Sequence, residues 1–578
     1  MASHNKVCKV LVDAPVNKLF DYKTGGHEVV IGSRVRVPFG RKMALAVVVK
    51  TMADSHLPSA KVRGIIDVLD SRPWFSNVCL DFLMESAEAF MAGHGEMVIG
   101  ALPRALKSVA KRDFPSLPHL KLASQGEFII HKSGLSDFRA HYLSQMQGHH
   151  GPVLVIVESL RKAEELCAAF NQRGLGDVFL YHNNVVYKQL DKMINSLSRE
   201  RCVVIGTRHL ALFPILRNEL IFVENGWLDV YRQEVFPRYN VRDLLLIRAK
   251  HGGGRYFLHE EVRNNVEVVA IDAMTHKAFP YFVEEEIKKD VANGLSWGVF
   301  AIGKSFAKRI VCHSCKRTLV CDVCSRPFVL KKIGKKDVLF CKSCDKAIEW
   351  DYKCTYCRAI AITLKGWGSQ KLLNFIKSRL SGLPVYEALS DDDKAQKGVY
   401  FFEHWQNITH RFDNVLLIGL DAVLNLDVFY AKDLAIGFIN SASNRAKKKL
   451  YVHTGLVEIT NDDVLEKECL LKKRFHLPPF GEMVRLIFKA SSLGRALKKA
   501  GLFCNKIEER GLSKTIYMPV YVPKQERKRR KHYCECLLLL DSAQANHRDD
   551  IYEICLKMRG TKDAVMVPEV YKEPLLSC

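Results

Sequence analysis

CHSCKRTLVCDVCSRPFVLKKIGKKDVLFCKSCDKAIEWDYKCTYC, residues 312–357, carries four Cys-x-x-Cys pairs: Cys312/Cys315, Cys321/Cys324, Cys341/Cys344 and Cys354/Cys357. Two thiolates separated by two residues grip one face of a tetrahedral ion through a tight knuckle turn. Two knuckles complete a closed four-thiolate shell, so eight cysteines predict two structural zinc ions. With no coordination position left for water, the metal is expected to hold the fold and to take no part in chemistry. Disulfides in a secreted domain are the competing use of such pairs. The chain opens Met1-Ala2-Ser3-His4-Asn5-Lys6 without an apolar signal core, which points to a reducing compartment where disulfides do not persist. The other ten of the 18 cysteines, among them Cys8, Cys202 and Cys469, are scattered and read as reduced, packed thiols.

Around this window, 578 residues are enough for roughly three to five domains, each with its own core. An apolar fraction of 48% with 10% aromatics describes a folded chain and argues against disorder. The longest apolar stretch, Val415–Tyr430, is interrupted by Asp421 and Asp427, so no membrane span is expected. Net charge is +24, from 87 basic against 63 acidic residues. Such an excess favours a polyanionic partner, most simply nucleic acid, because displacing counterions from phosphates drives association without base reading. A lysine surplus that serves only solubility is the bland alternative.

Short alternating strands mark residues 1–105 (Lys9–Val12, Arg34–Val37), followed by helical periodicity over Leu80–Met91. A basic, proline-containing stretch, Lys107–Pro118, reads as a linker. Beyond it, apolar strands alternate with amphipathic helices: Val153–Val157, a helix from about Leu160, Val203–Gly206 and Leu220–Val223. That alternation predicts a parallel α/β sheet. The cysteine window interrupts a second such unit, whose later strand is Val415–Ile418, and residues from about 480 read as a smaller α+β unit.

With the window placed inside a two-part α/β unit, the chain resembles the PriA family, the primosomal protein N-prime replication restart helicases. The likeness rests on Phe20-Asp21-Tyr22, Arg34-Val35-Arg36-Val37-Pro38-Phe39-Gly40, Val68-Leu69-Asp70-Ser71-Arg72-Pro73 and Ala101-Leu102-Pro103. It continues through Val204–Arg208, Tyr239–Asp243, Arg248-Ala249-Lys250, the gaps between cysteine pairs, and Leu477-Pro478-Pro479-Phe480-Gly481. The resemblance implies an α/β multidomain chain. A β-rich N-terminal 3′-end DNA-binding domain would occupy 1–105, a linker 106–120 and a degenerate helicase lobe 1 residues 121–275. Lobe 2, also degenerate and RecA-like, would comprise 276–311 and 358–465, with the zinc module 312–357 inserted and a C-terminal DNA-binding domain at 466–578. It further implies that Cys312, Cys315, Cys354 and Cys357 share one zinc and Cys321, Cys324, Cys341 and Cys344 the other. Spacing alone leaves consecutive pairing open.

The family's engine is ATP-driven, and its phosphate loop needs glycines, a lysine and a hydroxyl. Aligned without a gap, this chain offers Phe138 for the lysine, Arg139 for the hydroxyl and Asp137 for a glycine, while Lys132 lies six residues too early. The family's acidic tetrad reads Glu224-Asn225-Gly226-Trp227; Glu224 retains a carboxylate, but Asn225 and Gly226 accept no proton. The glycine-threonine-glutamine segment has become Phe402-Glu403-His404, and of the paired arginines only Arg445, in Asn440–Arg445, survives. The expectation is a chain without ATP hydrolysis or catalytic residues, binding neither ATP nor magnesium.

DNA contact fares better. By resemblance, Asp21 would accept from a terminal 3′-hydroxyl, with Phe20, Tyr22, Gly40 and Arg63 lining the pocket. Phe20 and Tyr22 as strand core with Asp21 in a turn is the structural alternative. Tyr231–Tyr239 resembles the family's aromatic-rich loop, as a DNA contact or as a packed relic. The run Arg527-Lys528-Arg529-Arg530-Lys531 is expected to grip phosphate backbone. Only residues 107–131 stand where relatives carry a winged helix, too few for one. Gly366-Trp367-Gly368-Ser369 keeps a trace of lobe 2's glycine-rich segment. The resulting expectation is a cytoplasmic, nucleoid-associated protein that binds stalled forks or D-loops and assembles primosome proteins, single-strand binding protein and the replicative helicase. An active 3′–5′ helicase with a divergent nucleotide site, and a non-replicative zinc scaffold for RNA or protein, are the alternatives.

Overall fold

A computed structural model describes residues 6–572 except 54, 56–57, 59–60, 108–116, 118–124, 198–201, 234–235, 274, 276–278, 303–308, 316, 318, 320–327, 334–335, 341–346, 366–368, 388–396, 403–404, 406–407, 425, 427–428, 513–515, 521–531, 542–544 and 560–563. The N-terminal strands form an antiparallel five-stranded sheet in the order Phe20–Lys23, Val7–Val12, Lys42–Met52, Arg34–Phe39, Asp67–Val68. The periodic segment after it is the helix Asn77–Ala89, started by the Ser76 side chain, which accepts from the Cys79 N–H.

Lobe 1 is a six-stranded parallel sheet ordered Glu127–Ser133, Arg255–Glu261, Leu220–Val223, Val153–Ile156, Cys202–Gly206, Asp177–Tyr181. Its central strands, Leu220–Val223, Val153–Ile156 and Cys202–Gly206, are buried at every residue. Helices cover both faces of such a sheet, so continuous apolar runs code for strands here and alternation does not. Lobe 2 repeats the plan in the order Glu267–Asp272, Ala446–Thr454, Phe412–Ile418, Ser296–Ala301, Gly398–Phe402, Val385–Tyr386, again all parallel.

Parallel neighbours require a long crossover. The connection from Ser296–Ala301 to its neighbour Gly398–Phe402 contains the cysteine window and then the helix Ser369–Arg379. The module is therefore an enlarged crossover that leaves the sheet intact. A four-stranded antiparallel sheet (Ile516–Val520, His532–Asp541, Gly481–Ala490, Ala564–Tyr571) with helices Leu493–Glu509 and Ala545–Arg559 closes the chain. One buried apolar cluster runs from Trp74, Phe75 and Phe82 through Phe213 and Leu245 to Phe488 and Ile551, joining the N-terminal helices, lobe 1 and the C-terminal unit. Among cysteines outside the window, Cys8, Cys79, Cys202, Cys534, Cys536 and Cys555 are buried thiols, whereas Cys469, expected as a thiol, is disulfide-bonded.

Candidate metal centre and nucleic-acid interface

The first and last cysteine pairs of the window converge. Strands Arg309–Cys312 and Ile362–Lys365 pair antiparallel with Cys312 opposite Ile362, which places both knuckles at the same end of one short ribbon. In the first, the Cys312 N–H donates to the Arg317 carbonyl; in the second, Arg358 N–H donates to Cys354 O while Arg358 takes a positive φ of 59°. The sulfurs of Cys312, Cys315, Cys354 and Cys357 all lie within 4.8 Å of one another. Cys312 Sγ is 3.6 Å from Cys357 Sγ, and Cys315 Sγ is 3.7 Å from Cys354 Sγ. Metal–sulfur bonds of about 2.3 Å at tetrahedral angles place neighbouring sulfurs about 3.8 Å apart, so the four thiols fit a metal shell and are too far apart for disulfides. The backbone N–H of Cys315 draws the Cys312 thiol down to about 6. At Cys357 the lowering by the Ala359 N–H is outweighed by desolvation and the neighbouring thiols, which push it up to about 11, as expected of thiols that share one proton in a close cluster. Cys321, Cys324, Cys341 and Cys344 lie outside the described residues.

The second candidate lies at the carboxyl ends of the lobe 1 strands, where open α/β sheets take ligands. Glu127–Ser133 leads through Gly134 into helix Leu135–Met146, the position of the sequence-predicted phosphate loop. Phe138, where the family has lysine, is fully buried and stacked on His259, ring centroids 4.8 Å apart at 15°. Arg139 reaches Glu224 with Nε 2.8 Å from Oε1 and Nη2 2.7 Å from Oε2, and Tyr142 donates to Oε1 at 2.9 Å. Burial alone would raise the Glu224 carboxyl; the Arg139 guanidinium outweighs it and holds the group below its ordinary range. The carboxylate aligned with the family's metal-holding acid thus lies in a fork of this chain's own making. Asn225 and Gly226 turn back onto lobe 1, with Gly226 N–H donating to His259 O. Arg445 is buried and bonded to Glu261 Oε1 (2.7 Å), Ser441 O (2.6 Å) and Ile408 O (2.8 Å). Phe402 is buried in lobe 2, while Glu403, His404 and the 366–368 trace lie outside the described residues.

In the N-terminal sheet, successive side chains take opposite faces. Tyr22 is buried in the sheet core with its hydroxyl donating to Pro38 O at 2.8 Å, and half-buried Phe20 meets Phe39 edge-on at 5.1 Å. Asp21 takes the other face, opposite Lys9 on the neighbouring strand, and binds Lys9 Nζ at 2.8 Å and Ser55 Oγ at 2.5 Å. Arg63 Nη1 donates to Gly40 O at 3.2 Å, and Gly40 turns with φ 61° into open space. Arg63 and Gly40 are therefore brought together, while Asp21 and the Tyr22 ring are divided by the strand. Lys9 and Ser55 were not expected; for Lys9 the signal was hairpin register, which pairs it with Asp21.

The aromatic-rich loop is packed. Tyr231 and Tyr239 are buried, and the Tyr231 hydroxyl donates to Glu224 O. The Arg232 guanidinium lies over the rings of both Tyr430 and Tyr571, 4.8 and 4.6 Å from their centroids. Phe236 lies 3.6 Å beneath the Arg559 guanidinium. Residues 527–531 are outside the described set. No described helix is long and apolar enough to cross a membrane.

Comparison with known proteins adds independent information. The family model of the PriA 3′ DNA-binding domain (3′BD) matches residues 9–103. The replication restart protein PriA of Haemophilus influenzae is 21% identical, over 77% of this chain and 81% of that protein. Its counterparts from Borreliella burgdorferi and Rickettsia prowazekii are 19% and 23% identical, covering 87% and 85% of this chain and 88% of each relative. Among solved structures, the NS3-like helicase from Alongshan virus aligns over 58% of this chain and 74% of its own, at 10% identity and a TM-score of 0.29. That likeness is too slight to weigh, and the two-lobe α/β architecture is read from the two parallel sheets themselves.

Proposed function

We propose, from the chain's membership of the PriA family, that it is a replication restart protein which binds branched DNA and no longer unwinds it. Stalled forks and D-loops that present a free 3′ end are its substrates. The stretch matching the 3′ DNA-binding domain receives that end, with Arg63, Gly40 and Phe20 nearest and Asp21 reached by displacing Lys9 or Ser55. Residues 527–531 hold the flanking phosphates. Zinc occupies the described four-thiolate centre, and a second zinc the other four cysteines. The module then offers a fixed surface to primosome proteins, single-strand binding protein and the replicative helicase. The setting is the cytoplasm, at the nucleoid.

The observation that carries the loss of the motor is the Arg139–Glu224 fork. A phosphoryl-transfer site needs a cation on the phosphates and a free carboxylate for magnesium. Here the residue aligned with the loop hydroxyl is itself a cation, bound to that carboxylate in the protein interior. Two measurements test the reading on purified full-length protein. Fork affinity is expected to fall when the 3′ end of the nascent strand is recessed or blocked, and phosphate release from ATP is expected to stay at background with or without forks. Equal affinity for forks and plain duplex, or fork-stimulated ATP turnover lost in Glu224→Gln, would overturn it.

A further inference from the structure

Lobe 2 sends one helix, Ala431–Asn444, across the carboxyl end of the lobe 1 strand Arg255–Glu261 and onto Trp227, which follows strand Leu220–Val223. The helix is buried along most of its length. At its carboxyl end, Asn444 Nδ2 donates to Glu261 Oε2 at 2.6 Å and to Val262 O at 2.7 Å. The same amide closes over the start of the phosphate-loop segment: a Cβ on Gly134 would lie 3.4 Å from Asn444 Oδ1. Glu261 Oε1 accepts from Arg445 Nη1 at 2.7 Å and from Ser441 Oγ at 3.1 Å, and its main-chain carbonyl accepts from Asn440 Nδ2 at 3.1 Å. One turn earlier, fully buried Trp227 of lobe 1 lies against Gly437, where an added Cβ would stand 2.5 Å from indole Cε3, and edge-on to Phe438 at 5.1 Å. The outer rim is closed by Asn264 N–H on Ser443 Oγ and by Arg263 on Asp462 and Thr460 O.

We infer that helix Ala431–Asn444 with Arg445 is a permanent latch that holds the two lobes closed in the absence of nucleotide and DNA. Separating the lobes would strip Glu261 of its lobe 2 donors and leave a buried carboxylate and a buried guanidinium without each other. It would also withdraw the Trp227 indole from its seat on Gly437. A nucleotide-driven cleft has to open and close in every cycle, so no such fastening can persist in it. In this chain the side chains Asn444 and Arg445 take the ground that a nucleotide and its finger arginine would occupy, and the tandem lobes become a strut of fixed geometry. The inference rests on the reading that ATP is not the ligand of this cleft, and its test does not use DNA affinity.

Hydrogen–deuterium exchange of the full-length protein reads the latch directly, through peptides covering 255–266 and 431–445. In wild type, exchange is expected to be slow and unchanged by ATP with magnesium or by a forked duplex. Glu261→Gln and, separately, Asn444→Ala are expected to speed exchange in both segments by about tenfold or more while zinc-module peptides stay unchanged. Fast exchange in wild type, protection of 437–445 on adding ATP with magnesium, or variants indistinguishable from wild type would each overturn the latch. The wild-type arm stands even if a variant does not fold. Fork affinity measured in parallel separates the outcomes, since failure of the latch leaves branched-DNA binding untouched, and the reverse also holds.

Discussion

Arg139 and Glu224 form a bidentate ion pair at the carboxyl ends of the lobe 1 strands, with the carboxylate fully buried. A buried carboxylate is costly until a cation and donors surround it, and here Arg139 and Tyr142 do so from one helix face. Arg139→Ala leaves that carboxylate inside lobe 1 without its bidentate partner and is expected to cost about 3–5 kcal/mol in denaturant unfolding. Arg139→Lys, a point charge without the fork, should recover only part of this. A wild-type midpoint for Arg139→Ala would dismiss the pair as incidental. Because the folded-state pKa of Glu224 is depressed below its ordinary 4.5, the pair's contribution is complete above that pH and is lost as pH falls through the lower folded value. The acid limb of the stability curve should therefore flatten in an Arg139→Gln, Glu224→Gln double variant. The strings shared with the family have a similar basis. Arg34 forks onto Asp70 with both side chains fully buried, and Arg248 onto Glu219, so those residues are strung together by ion pairs that hold the fold.

At the scale of elements, the knuckle ribbon and the N-terminal hairpin read out different periodicities. The two-residue gap in Cys-x-x-Cys sets each knuckle locally, and the short ribbon Arg309–Cys312/Ile362–Lys365 then brings distant pairs together. Cys354→Ser should remove one of the bound metal ions, scored by elemental analysis, and leave the melting of the lobes in place because the module is only a crossover. Loss of all metal in that variant would show the two centres to be one cooperative unit. In the hairpin, the strand period of two decides which side chains can share a site. Tyr22→Ala should cost about 3–5 kcal/mol, as large-to-small core changes do, whereas Asp21→Ala, which removes the partner of Lys9 and Ser55, should cost about 1–2 kcal/mol. Equilibrium unfolding of both separates the core residue from the ion-paired one.

Over the whole molecule, parts far apart in sequence are joined. Arg559 of the last helix grips Glu96 of the N-terminal unit, 463 residues away, while its guanidinium covers Phe236 of the aromatic-rich loop. Arg232 ties that loop to both lobe 2 and the final strand through Tyr430 and Tyr571. The excess of 87 basic over 63 acidic residues acts at this scale too, as a field around the particle. Replacing Arg527–Lys531 by alanine should weaken fork binding at low salt and reduce the slope of log affinity against log salt by about 0.9 for each phosphate no longer neutralised. An unchanged slope, measured by anisotropy over a salt series, would remove these residues from the interface.

The amino-acid sequence by itself determined what short spacing encodes: the paired thiols, the continuous apolar strands of two parallel sheets, the helical periodicity of Leu80–Met91, and a phenylalanine where the family's phosphate loop has lysine. Each depends on residues a few positions apart, where backbone geometry leaves few choices. Only the tertiary structure decided which cysteine pairs converge among the described residues, that Arg139 closes on Glu224, that Asp21 faces Lys9, and that Arg445 serves Glu261. Those pairings join elements whose meeting depends on sheet order and packing, and burial there turns a lone charge into a penalty and a paired one into a fastening.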